Sequence, residues 1–155
     1  MPTHAHFDHI GADKELKEKT GADLLIHKED STILKESLKI LSKFGGKDIM
    51  VEPDKLLKEG DIVNVGRLNL EVIHTPGHTP GGICIKIEDV VFCGDTLFKG
   101  GMGRYDFPFA SYEDLINSIK KKLFILPDDT MIYPGHGDFT TIGEERKNNP
   151  FLMNE

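Results

Sequence analysis

Residues 4–9 read His-Ala-His-Phe-Asp-His, which places three of the chain's seven histidines and one aspartate within six positions. Side chains at i and i+2 of an extended segment share a face, so His4 and His6 can offer two imidazole nitrogens to one cation. Past Phe7 the chain must turn toward a helix start near Gly11, which re-aims Asp8 and His9 at a second cation beside the first. One short segment cannot complete the coordination of first-row metals. The fold must therefore return further donors to the amino-terminal cluster, and few chain paths satisfy that demand.

Three remote segments offer such donors: "HTPGHTPGG" (74–82) with His78, "CGDTLF" (93–98) with Asp95, and "YPGHGD" (133–138) with His136. Each follows an apolar, strand-like run and is punctuated by glycine or proline. Strand ends of this kind are where α/β architectures expose functional groups. Alone, His78 reads as a loop histidine and Asp95 as a turn residue. Together with residues 4–9 they compose a two-metal site with nitrogen and oxygen donors.

The rest of the chain supplies a scaffold. "GADKELKEKTG" (11–21) predicts a helix stopped by Gly21, "ADLLIH" (22–27) a short buried strand, and "EDSTILKESLKILSKFGG" (29–46) a helix. In that second helix Ile33, Leu34, Leu38, Leu41 and Phe44 fall near helical spacing, and glycine ends it. "DIVNVGRLNLEVIHT" (61–75) predicts a hairpin about Gly66-Arg67, and "ICIKI" with "VVFCG" a second antiparallel pair about Glu88-Asp89. Ser111 and Asp114 form a capping-box start for a helix over 111–126. "TMIY" (130–133) reads as the last strand, with Tyr133 in its core, and "TIGEERKN" (141–148) as a final helical turn or two. This order of elements predicts one layered α/β domain over residues 1–155.

Composition narrows the function. A formal charge of −7 argues against a nucleic-acid partner, which needs clustered Lys and Arg to displace phosphate counterions. No apolar run approaches a membrane span, and the chain shows no secretory leader, so a cytoplasmic location is expected. Cys84 and Cys93 lie in apolar runs and read as buried structural thiols. His27 and His74 read as structural histidines, or as groups that orient a ligand imidazole.

The four segments, with "GMGRYDFP" (101–108) and "YPGHGDFTTIGEERKNNPF" (133–151), resemble in order the metallo-β-lactamase fold superfamily, and within it the glyoxalase II-like hydrolases. The resemblance implies an αββα sandwich. It implies that His4, His6 and His78 hold one metal, that Asp8, His9 and His136 hold a second, and that Asp95 bridges them. It implies two divalent ions, zinc foremost with iron or manganese as alternatives, and a metal-bridging hydroxide, oriented by Asp8, that attacks a small-molecule thioester of the hydroxyacyl-thiol type. Arg104 is a candidate contact for a substrate carboxylate. Two other readings stay open: a mononuclear iron persulfide dioxygenase of the same fold, and a metal-binding fragment with little activity.

The chain departs from that pattern at its start. Members of the family carry several strands before the first histidine motif, whereas here Met1 and Pro2 directly precede Thr3. The domain is thus expected to be amino-terminally truncated, to lack strands of the first sheet, and to self-associate through an exposed sheet edge. The helical domain that grips glutathione in larger glyoxalase II enzymes is also absent from the pattern.

Overall fold

In the computed structural model, which describes residues 1–45 and 50–153, hydropathy period and turn chemistry set most elements where the sequence places them. Helix α1 is a single turn, Phe7–Ile10, and α2 spans Asp13–Thr20. Gly21 closes α2 in the left-handed conformation, donating its N–H to the Lys17 carbonyl, a helix stop that costs glycine no Cβ clash. Strand β1 (Leu25–His27) leads to α3 (Asp30–Gly45), and β2 (Lys55–Leu57) pairs in parallel with β1. The side chain of Phe44 and the predicted stop at Gly46 lie outside the described residues.

Strands β3 (Ile62–Val65) and β4 (Leu68–His74) form the predicted hairpin about Gly66-Arg67. Strands β5 (Ile83–Ile87) and β6 (Val90–Gly94) form the second. The short pair β7 (Leu97–Phe98) and β8 (Gly101–Met102) follows, then α4 (Tyr112–Ser118), whose first turn is capped by the Ser111 side chain accepting from the Asp114 N–H. The same helix runs on as a π-helical segment, Ile119–Leu123. Strand β9 (Met131–Pro134), β10 (Thr140–Thr141) and α5 (Ile142–Asn148) complete the order, with Thr141 capping α5.

The main sheet has the order β10-β9-β6-β5-β4-β3. One face packs Ile73, Cys84, Val91, Cys93 and Ile132 against Leu115, Ile119, Leu123 and Ile142 of the carboxyl-terminal helices. The other face brings Val72, Ile83 and Ile85 against Leu57 of β2. Beyond β1–β2 lies α3, whose Leu34 and Leu38 pack on Ala5, Ile10 and Ile26. Helix, sheet, sheet and helix are therefore stacked as the sequence led us to expect, with β1–β2 as the small second sheet among the described residues.

Two expectations need correction. The strand at 130–133 is not the last, because Thr140–Thr141 pairs antiparallel to it; two residues are too few to show a period. Tyr133 is not core. Strand alternation buries Ile132 and turns Tyr133 outward, 40% exposed, where its ring stacks on Phe92 at 5.6 Å between centroids. The thiols follow expectation: Cys84 and Cys93 are free and wholly buried. Burial pushes the Cys84 thiol up to about 11, which keeps it inert.

One half-buried acid sits outside this order. Asp13 Oδ2 is buried without a hydrogen-bond partner, and burial lifts its carboxyl to about 6 against the opposing pull of the Met1 ammonium. An acid whose folded value is raised costs stability as pH climbs from its unfolded value toward the folded one, and the cost persists above it. Asp13→Asn is therefore expected to raise stability by about 1 kcal/mol at pH 8, a gain that fades below about pH 4. Thermal unfolding of both proteins at the two pH values measures this.

Candidate metal centre

Strand directions explain how distant residues meet. β5 runs antiparallel to both β4 and β6, and β9 runs parallel to β6. Strands β4, β6 and β9 therefore point the same way and end at one edge of the sheet. His78 follows β4, Asp95 follows β6 and His136 follows β9, so all three loops open on that edge. Gly135 keeps the last approach clear: a Cβ there would lie 2.5 Å from Asp95 Oδ1 and 2.6 Å from His9 Cε1.

The amino-terminal segment is fastened rather than loose. The Thr3 carbonyl accepts from the Ile83 N–H at 2.9 Å, and the Ala5 N–H donates to Asp30 Oδ2 at 2.8 Å. Asp30, wholly buried at the start of α3, also accepts from Thr79 Oγ1 at 2.9 Å and from the Gly81 N–H at 2.6 Å. One carboxylate thus ties the His4–His6 segment to the loop that carries His78. Sequence reasoning did not single out Asp30, because an acid in a first helical turn is ordinarily read as a capping or dipole partner. Only its burial distinguishes it.

These constraints gather seven side chains. Donor atoms of His4, His6 and His78 lie within 4.8 Å of one another, as do those of His4, His9 and Asp95, and those of Asp8, His9 and His136. His6 Nδ1 stands 2.9 Å from His78 Nε2, and His136 Nε2 stands 3.1 Å from Asp8 Oδ2. Asp95 reaches both groups, with Oδ1 3.4 Å from His9 Nε2 and Oδ2 3.6 Å from the Nε2 atoms of His78 and of His136. The first group is the deeper, with His4 2% exposed, while the side chain of His136 is 57% exposed.

The donor set fits divalent cations. His4 Nε2, His9 Nε2 and Asp95 Oδ1 are buried with no hydrogen-bond partner, a costly state for polar atoms that a cation relieves. Tautomers are set to match. His78 Nδ1 lies 2.7 Å from the Arg104 carbonyl, which can only accept, so Nδ1 carries the proton and Nε2 turns its lone pair to the site. Burial, then the neighbouring His9 and His78, pulls the His4 imidazole down to about 2, so it is a neutral donor at physiological pH. Burial and His78 likewise pull His6 down. His9 is drawn up by its interaction with Asp95. For Asp95, burial pushes upward, but His9 and the other imidazoles outweigh it and hold the carboxyl below its ordinary range.

His27, Glu29 and His74 also have donor atoms within 4.8 Å, yet their geometry differs. The two rings stack at 4.0 Å with planes 17° apart. Imidazole lone pairs lie in the ring plane, so nearly parallel rings face each other instead of aiming at one point. His27 and His74 are a packed pair, and His74 Nε2 is engaged by the Pro80 carbonyl at 2.8 Å.

A cleft of about 560 Å³ opens over His6, Asp8, His78, Asp95 and His136, and Arg104 lines it. The guanidinium forms two bonds to Asp106, at 2.9 and 2.8 Å, and lies 4.1 Å over the Phe107 ring. Sequence reasoning placed Arg104 near substrate but saw neither that clamp nor the role of its carbonyl on His78.

Comparison with known proteins agrees with this geometry. The sequence profile of the metallo-beta-lactamase superfamily matches residues 2–136. The chain is 45% identical to the hydroxyacylglutathione hydrolase GloC of Haemophilus influenzae, over 97% of this chain and 73% of that protein. It is 36% identical to the human mitochondrial persulfide dioxygenase ETHE1, over 97% of this chain and 54% of that protein. Among solved structures, TTHA1623 in a di-iron-bound form superposes with a TM-score of 0.82 at 38% identity, covering 97% of this chain and 75% of that one.

Proposed function

Because the chain belongs to the metallo-beta-lactamase superfamily, we propose that it is a metal-dependent thioester hydrolase that holds two divalent cations, zinc foremost. The observation that carries this reading is Asp95, whose two oxygens face both donor groups at once. A mononuclear centre would have no use for the second group, Asp8, His9 and His136.

In this reading His4, His6 and His78 would hold one ion and Asp8, His9 and His136 the other, with Asp95 placed to serve both. Two cations at such a centre supply hydroxide at neutral pH and polarise the carbonyl under attack. The residues do the rest. Asp8, on the open side of the site and 3.1 Å from His136, orients the attacking water and takes its proton. The C–S bond breaks, the new C–O bond remains in the acid, and Asp8 returns the proton to the departing sulfur. The neutral imidazoles of buried His4 and half-buried His6 need lose no proton to bind metal, which favours loading at neutral pH.

Metal analysis of the purified protein tests this, together with free-thiol release from a hydroxyacyl thioester before and after chelation. Two metal ions per chain and chelator-sensitive release are expected, restored by adding zinc. Release that survives complete metal removal refutes the mechanism. One iron per chain with oxygen uptake on a persulfide favours the dioxygenase chemistry of the ETHE1 relative.

A further inference from the structure

The walls of the cleft differ from its floor. Above the histidines and aspartates stand Phe7, Ile33, Ile40, Phe98, Phe107 and Phe109. Several are strongly exposed, Phe109 at 76% and Phe7 at 57%. Scattered exposed apolar residues need no explanation, but six around one opening form a contiguous surface that marks a binding site.

Phe109 is also one of two non-glycine residues among those described, with Glu88, whose φ is positive. Its φ is +69°, a left-handed conformation that aromatic residues rarely adopt and that persists only where surroundings enforce it. The enforcement is visible on both sides. The Ala110 N–H donates to the Phe107 carbonyl at 3.1 Å, and the Ser111 N–H donates to the Gly77 carbonyl at 2.7 Å. The turn is thereby pinned to the loop of His78, and the ring is held out at the cleft mouth.

Charge completes the picture. Among the described residues lining the cleft, Arg104 is the only Lys or Arg, and Asp106 occupies its fork from both sides. Glu36 on the opposite wall is matched by Lys39 at 2.8 Å. Among the described lining residues, the one cation facing a negatively charged carrier is thus a guanidinium already paired with Asp106 in an exposed ion pair.

We infer that this cleft selects uncharged thioesters bearing an alkyl or aryl group, with Phe109 as a specificity-determining wall and Asp106 as the group that withholds Arg104 from anionic substrates. The inference rests on the hydrolase reading for the position of the scissile bond. It narrows that reading to a substrate class without the charge of dicarboxylate thiol carriers.

Calorimetric titration of the metal-loaded protein with uncleavable S-alkyl thioethers tests it without needing turnover. On an uncharged carrier, affinity is expected to rise about two- to fourfold per methylene from ethyl to hexyl. Phe109→Ala is expected to weaken the hexyl compound about tenfold and flatten the series. Asp106→Asn, which frees the guanidinium, is expected to improve binding of the matching dicarboxylate thioether about tenfold. A flat series in the unaltered protein, or tighter binding of the dicarboxylate than of the uncharged hexyl compound, overturns the inference. Turnover of the corresponding thioesters is scored separately: chain-length-dependent binding without any cleavage counts against the hydrolase reading alone, and cleavage without chain-length dependence counts against the cleft assignment alone.

Discussion

Asp95→Ala is expected to lower kcat/KM on a thioester by at least about a thousandfold and to reduce bound metal from two ions per chain to one or none. Asp95 is the group whose oxygens face His9 on one side and His78 and His136 on the other. Without it, the two donor sets lose the carboxylate they share, and on the proposed two-metal reading the charge of adjacent cations would be less well offset. Alanine also removes Oδ1, which is buried without a hydrogen-bond partner, together with a carboxylate that His9 and the other imidazoles stabilise, so the chelated variant is expected to be somewhat less stable at pH 7 but still to unfold cooperatively. That contrast separates a lost metal centre from a lost fold. Two tightly held ions with turnover within tenfold of the original would show that Asp95 does not bridge.

Asp30→Ala should act in the opposite order, on the fold first. Three buried donors lose their acceptor: the Ala5 N–H, the Gly81 N–H and Thr79 Oγ1. Each orphaned buried donor costs roughly 1–3 kcal/mol. The Asp30 carboxyl is itself pushed up by burial, so part of that loss is offset by releasing a desolvated charge. The expected net destabilisation is about 3 kcal/mol, a fall of roughly 10 °C in the melting temperature of a domain this size. Metal affinity is expected to drop about 10- to 100-fold as well, since Asp30 registers the His4–His6 segment against the His78 loop. Thr79→Val removes only one of the three bonds and should cost about 1 kcal/mol. Unfolding of the metal-free proteins and a metal titration measure both effects. A melting temperature within 2 °C of the original, with unchanged metal affinity, would remove Asp30 from this role.

Legibility differed from residue to residue for physical reasons. The candidate donors were legible because imidazoles and carboxylates cluster in sequence at residues 4–9 and sit beside glycines at 78, 95 and 136. The helix over 13–20 and the two hairpins were legible because a local period and turn chemistry determine them. Asp30 was not legible, because its type is ordinary for a first helical turn and only the packing of two remote loops against it makes it a hub. Tyr133 was misplaced because one aromatic in a four-residue strand does not reveal which face the sheet buries. Arg104 was legible as a cation near the site. Its engagement by Asp106 was not, since two residues of separation in a loop do not specify a side-chain fork.

The sequence by itself determined which atoms this protein can offer to a metal and which segments must turn to present them, because donor chemistry and turn propensity are local properties. Tertiary structure decided that β4, β6 and β9 run in one direction and so deliver His78, Asp95 and His136 to one edge, facing a terminal segment anchored by Thr3 and Ala5. Strand direction, tautomer and the charge left exposed at the cleft mouth depend on contacts between residues far apart in the chain, and no local pattern encodes them.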